Sequence, residues 1–201
     1  MQVAYGLGVL MERIIRAVVL SLGIAVPYLG FAAPADTPVA AADVVSGVWQ
    51  HHKITINYFG ITASYACDAL EDHVKSILLH LGARRDAKVS ASCPRGPEIP
   101  SHNAWIETDF YTLAPAEAAS SSDTVKAYWA PREVNPHQPF FMGDGDCELI
   151  EQMKDMISKS FALRDMQYHT ECVPHELTIN GFSIKGQALV PVAAPAGAKG
   201  A

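Results

Sequence analysis

The chain has 201 residues, 15 of them Lys or Arg and 21 Asp or Glu, for a formal net charge of −6. An acidic balance repels phosphate backbones, and no Lys/Arg cluster or basic face stands out to overcome it, so nucleic acid is excluded as an expected partner. The length suits a single domain once a leader is set aside, since typical domains hold about 100 to 150 residues.

Arg13 and Arg16 precede the apolar run "AVVLSLGIAVPYLGF" and the small-residue stretch "AAPA". This is the pattern of a secretory signal peptide over residues 1–35. The run is short and broken by Pro27, whereas a membrane span needs roughly 20 apolar residues; no integral membrane segment is therefore expected in the mature chain. Cleavage after Ala35 leaves 166 residues with 13 basic and 20 acidic groups, a net charge of −7. The implied location is periplasmic or secreted. Residues 36–47 read as a flexible N-terminal segment, 48–190 as one α+β domain, and 191–201, "PVAAPAGAKGA", as a disordered tail too poor in apolar groups to offset its ordering entropy.

Within the domain, "HHKITINYFG" alternates polar and apolar residues with period two and reads as a half-buried strand. A helix follows, opened by Asp68 and Glu71 at capping-box spacing. It carries Leu70, Val74, Ile77, Leu78 and Leu81 on one face and ends at Gly82. "AKVSASC", "NAWIETDFYTL" and "TVKAYWA" are further strands. A proline-rich loop then leads to a second helix, which buries Leu149, Ile150, Met153, Ile157 and Phe161. "DMQYHTEC" and "GFSIKGQALV" complete six strands. Helices crossing between strands favour parallel neighbours. The expected architecture is a ferredoxin-like two-layer sandwich with both helices on one face of a mixed sheet of five or six strands.

The four cysteines, Cys67, Cys93, Cys147 and Cys172, all fall in the mature part, and an even count in an exported chain points to two disulfides. A helix from Asp68 to Leu81 advances about 20 Å at 1.5 Å per residue, and the extended segment from Asp86 to Cys93 returns roughly 23 Å at 3.3 Å per residue. Each helix-start cysteine is thereby brought level with the one ending the returning strand, which selects Cys67–Cys93 and Cys147–Cys172. Asp68 and Glu148, Leu70 and Ile150, Glu71 and Glu151, and Ile77 and Ile157 stand at equal offsets from their cysteines. "RD" also recurs after a one-residue gap, at Arg85-Asp86 and Arg164-Asp165. Either a duplicated unit or two independent staples accounts for this.

The segments "SYACDALEDHVKSILLHLGARRDAKVSASCP" and "GDCELIEQM" resemble a family of uncharacterised exported proteins of Gram-negative bacteria, the likeness running from about Trp49 to Cys172. The resemblance implies export and a single domain. It implies no activity.

The residues that could carry chemistry each have a plainer reading. His51 and His52 point to opposite faces of their strand. His73 and His80 are about 10 Å apart along a helix. His169 and His175 flank Cys172, and with His52 they are the candidate ligands of a zinc or copper site, but an oxidising compartment consumes the thiols as disulfides. Glu107 and Asp109 share a strand face, from which a hydrolase using a His could be built, though a solvated face explains them. Asp144 and Asp146 lack the remaining spacing of a calcium loop, and helix capping suffices for them. Trp49, Trp105, Trp129, Tyr58 and Tyr128 could line a groove for sugar or peptide, yet on strands of a small domain they are expected to complete the core. The sequence therefore favours a non-catalytic binding or accessory module without a cofactor, its partner an unspecified protein or small molecule. Metal binding and hydrolysis are the alternatives.

Overall fold

The computed structural model describes residues 44–116 and 124–192; residues 1–35, read above as a signal peptide, residues 36–43 of the expected flexible segment and residues 193–201 of the expected tail lie outside them. Six strands, β1 (Val44–Phe59), β2 (Lys88–Ser92), β3 (Asn103–Pro115), β4 (Val125–Val134), β5 (Leu163–Thr170) and β6 (Phe182–Pro191), form one sheet in the order β2-β3-β1-β4-β6-β5. Two helices, α1 (Cys67–His80) and α2 (Cys147–Ser160), lie between β1 and β2 and between β4 and β5. Among the described residues no helix is long and apolar enough to cross a membrane. Disulfides join Cys67 to Cys93 and Cys147 to Cys172, with Cα separations of 6.0 and 5.6 Å.

The sheet is not mixed: all five neighbouring pairs are antiparallel. The helix crossover does return the chain parallel to the strand it left, since β1 and β2 both run antiparallel to β3. However, β3 inserts between them and takes the hydrogen bonds that a direct parallel pair would have used. The same insertion places β6 between β4 and β5. Two further expectations change at the ends of the domain. Residues 44–47, assigned to a flexible segment, are the first rungs of β1 and pair with β4. Pro191, assigned to the tail, pairs with Ala127, and the Val192 N–H donates to the Lys126 carbonyl.

The two halves repeat each other rung by rung. Gly47 faces Pro115 and Trp49 faces Leu113; in the second half, Ala127 faces Pro191 and Trp129 faces Leu189. Followed outward, the register places Val89 opposite Thr108 and Tyr168 opposite Ile184, and carries Cys93 onto Cys172. At the centre, Val45 pairs with Ala127 and Gly47 with Val125 on either side of the Ser46–Lys126 rung. That is the pattern of a local two-fold axis. The chain is thus a tandem βαββ repeat, which resolves the ambiguity of the paired cysteines in favour of duplication.

One large core takes both helices and one face of the sheet. Leu70, Val74, Ile77 and Leu78 of α1, and Leu149, Ile150, Met153 and Ile157 of α2, are fully buried with Ile106 and Phe110 of β3 and Phe182 and Ile184 of β6. On the opposite, outer face a smaller cluster gathers around the central rungs: Leu113, Ala127 and Leu189 lie beneath Trp49 and Trp129. The Arg84 guanidinium lies over Trp49 and Tyr111, and that of Arg164 over Trp129. Arg84, not Arg85, is therefore the counterpart of Arg164. Gly82 ends α1 with φ +103°, a conformation open to glycine, and a Cβ there would come within 2.9 Å of a Val190 methyl.

Candidate functional site

The most concentrated polar chemistry lies where the N-termini of the two helices meet. Asp146, the residue before α2, is almost wholly buried. Its Oδ1 accepts from the Tyr65 hydroxyl at 2.5 Å and from His73 Nδ1 at 2.8 Å, and its Oδ2 accepts from the Gly143 N–H at 2.7 Å. In the first turn of α2, the Glu148 carboxylate accepts from the backbone N–H groups of Ile61, Thr62 and Ala63 at 2.9 to 3.3 Å. Gln152, one turn further, bonds both the N–H and the carbonyl of Phe59 at 2.8 Å. The Tyr58 hydroxyl donates to the Ala63 carbonyl. Burial raises the Tyr58 and Tyr65 hydroxyls above the usual phenol range, with the neighbouring carboxylates adding to it. His73 is raised by its hydrogen bond to Asp146, against the opposing effect of burial.

An Asp-oriented histidine is one component of acid–base machinery. Here each carboxylate is engaged by three donors, and those from Tyr65 on Asp146 and from residues 61–63 on Glu148 tie the loop of residues 61–65 to α2 and the turn before it. The cluster is a clasp between the two repeats. Sequence reading missed it because its members are separated by some eighty residues in sequence and Asp146 reads as a cap. The expected capping box on α1 is likewise replaced: Ala66 is the N-cap, Asp68 bonds only the next N–H, and Glu71 reaches the Ala91 N–H of edge strand β2.

The predicted metal ligands are not brought together. All four cysteines are bonded to one another, and no group of three His, Cys, Asp or Glu among the described residues is placed to hold an ion. His52 Nε2 lies 2.9 Å from the Thr112 hydroxyl, which itself donates to the Ser160 carbonyl, so His52 is the donor in that bond. Burial, helped by His51, lowers its pKa. His169 turns toward Glu171 at 3.7 Å, while His175 sits in a left-handed turn held by its N–H on Thr62.

Of the hydrolase candidates, Asp109 meets a histidine, His51, at 2.9 Å. The pair lies on the outer face with side chains 49% and 47% exposed, and the His51 ring stacks on Tyr111. Glu107 and Asp109 line a depression of about 170 Å³ with Lys53, Lys88 and Ser90. Asp109 stands in register between Lys53 and Lys88. This is a solvated row of opposite charges on an open face of the sheet.

Elsewhere the outer face is unspent. Trp105, expected in the core, is 63% exposed, and Phe59 diagonally across from it is 60% exposed. Asn57 and Ser92 are the cross-strand neighbours of Trp105, and Asn103 is that of Phe59. These side chains enclose a cleft of about 310 Å³, closed at one side by Pro94 beside the Cys67–Cys93 bond. A larger cleft of about 570 Å³ near His80, Arg132, Glu133 and Lys185 is ionic, and the Arg132 Nε is buried there without a hydrogen-bond partner among the described residues. There His80 donates to the Glu133 carbonyl, and the Glu133 carboxylate holds Asn135 and Lys185. Comparison with protein-family models, curated proteins and solved structures finds no match to this chain.

Proposed function

We propose that this chain is an exported, non-catalytic binding module that takes its ligand in the cleft between Trp105 and Phe59. The observation that carries the proposal is the pair of large aromatic rings held in water on adjacent strands, in a domain whose buried acids and histidines are committed to internal bonds. Exposed aromatics of this kind offer a large apolar contact at small entropic cost, and small-molecule sites are concave and mainly apolar with a few polar groups. The disulfide behind Pro94 holds the rim in place before any ligand arrives, which lowers the ordering cost of binding.

The periplasmic or secreted location belongs to the same proposal, supported by the two disulfides and the leader-like pattern of residues 1–35. The ferredoxin-like two-layer architecture belongs to it as well, supported by the third strand inserted in each repeat and by both helices sharing one core with one sheet face. Two experiments test the reading. Amino-terminal mass spectrometry of protein from its native cells is expected to find a start between Ala33 and Asp36, and an intact leader on all of it removes the export claim. A small-molecule fragment screen by amide and indole NMR is expected to place its hits on Trp105, Asn57 and Asn103. Hits confined to other surfaces, or none, refute the assignment of the cleft.

A further inference from the structure

We infer that the cleft accepts one pyranose ring of a neutral carbohydrate, an inference that rests on the binding-module reading and adds the class of ligand. Four observations converge on it. The first is charge: the cleft lining contains no Asp, Glu, Lys, Arg or His, although Glu107, Asp109, Lys53 and Lys88 occupy the neighbouring rungs of the same face. An ionic ligand would find no counter-charge, and its desolvation would go uncompensated.

The second is the pattern of side chains. Trp105 and Phe59 occupy one diagonal of two adjacent rungs, and Asn57 and Asn103 the other. Diagonal neighbours stand about 7 to 8 Å apart, so each ring is flanked by amides. A pyranose has the complementary anatomy, with a patch of C–H groups on its face and hydroxyls around its rim. The C–H patch suits the electron-rich face of an aromatic ring.

The third is hydrogen-bonding capacity. Each Asn side chain offers two donors and one acceptor, and Ser92 offers a hydroxyl. Among the described residues none of these three side chains makes a hydrogen bond within the chain, whereas Ser101, Thr108, Thr112 and Asn135 do. Sugar hydroxyls both donate and accept and therefore match both ends of an amide. The last observation is size: about 310 Å³ stands at the small end of ligand sites, for which about 300 to 1,000 Å³ is usual. That admits a terminal or single internal unit, not a wrapped chain.

The test uses the full chain and soluble neutral tetrasaccharides of β-1,4-linked glucose, β-1,4-linked N-acetylglucosamine and α-1,4-linked glucose. The signals followed are the indole N–H of Trp105 and the side-chain amides of Asn57 and Asn103. At least one sugar is expected to shift these saturably, leaving the Trp49 and Trp129 indoles unmoved. Trp105→Ala is expected to weaken binding by at least about tenfold, and Trp105→Tyr to recover part of the loss. Trp105 is exposed, so the substitution leaves the core intact, and thermal melting of each variant verifies it. Failure of every sugar to shift these signals at 10 mM, or equal affinity in Trp105→Ala, overturns the carbohydrate assignment. If a proline-rich peptide or a fragment moves the same signals while every sugar fails, the ligand class is wrong and the cleft stands as a binding site. Silence from every probe overturns both.

Discussion

Removing the Glu148 carboxylate gives the sharpest test of how the two repeats are held together, because the tandem architecture supplies its own control. Glu148 and Asp68 are counterparts, each one residue beyond a helix-start cysteine. Asp68 is exposed and bonds only the next backbone N–H, whereas Glu148 is buried and gathers three N–H groups from residues 61–63. A hydrogen bond to a charged group contributes about 1.5 to 3 kcal/mol, and a buried donor left unpaired costs about 1 to 3 kcal/mol. Ile61 is partly exposed, so water can re-pair some of the freed donors, which brings the expected cost of Glu148→Ala to about 2 to 4 kcal/mol. Glu148→Gln keeps one oxygen acceptor and should cost roughly half as much. Asp68→Ala should cost under about 1 kcal/mol, the scale of an exposed charge near a helix N-terminus. Urea unfolding of the oxidised protein, with a slope of about 1 to 3 kcal/mol per molar, converts the Glu148→Ala loss to a midpoint shift on the order of 1 to 2 M. Equal midpoints for Glu148→Ala and Asp68→Ala would refute the clasp.

Other expectations follow from the same contacts. Replacing either cysteine pair with serines should cost about 3 kcal/mol, since each bond closes a loop of similar length, 26 and 25 residues; chemical unfolding of the two double variants tests this, and a large inequality would locate strain or residual structure in one half. Gly82→Ala should cost over about 1 kcal/mol, combining a left-handed φ with contact against Val190. Gly96→Ala, with similar φ and open space around it, should cost less, and thermal melts would rank them. For pH, the native pKa of His73 lies above its unfolded value, so its contribution is complete below about pH 6.5 and is lost as pH rises through the native pKa. His52 and His80 are lowered, chiefly by burial, and contribute in the opposite sense, losing stability as pH falls from about 6.5 through their native values. Imidazole NMR titration should therefore place the His73 midpoint above those of His52 and His80; the reverse order would contradict the His73–Asp146 bond.

Local pattern was legible in the sequence. Period-two alternation locates β1 and β3, amphipathic spacing locates both helices, and path length pairs the cysteines. Strand order was not legible, because no periodicity says that β3 turns back between β1 and β2. Nor does any local signal tell Glu148 from Asp68: both follow a cysteine at a helix start, and only the tertiary approach of residues 61–63 separates their roles. Trp105 is a different case. The phase that turns Ile106, Thr108 and Phe110 inward already turns Trp105 outward with Glu107, so its exposure was readable. The general tendency of tryptophan to be buried on small sheets pointed the other way and was the weaker argument.

The repeat also explains why the cleft occurs once. β4 ends at Val134, the counterpart of Ile54, whereas β1 continues to Phe59; β6 begins at Phe182, the counterpart of Ile106, whereas β3 already starts at Asn103. The rungs that carry Asn57, Phe59, Asn103 and Trp105 are thus an extension that the first repeat has and the second lacks. In the second repeat the positions equivalent to Trp105 and Asn103 are Gly181 and Ile179, in a loop. Features needed to hold the sheet together recur in both halves: a disulfide, a tryptophan under an arginine, and a leucine facing that tryptophan. The extension recurs in neither form nor composition, and it leaves two aromatic rings in water. A stabilising role would make Trp105→Ala costly to folding, as truncation of a buried aromatic is, at about 3 to 5 kcal/mol. Its exposure predicts a change within about 0.5 kcal/mol, and that difference separates a surface kept for a ligand from one kept for the fold.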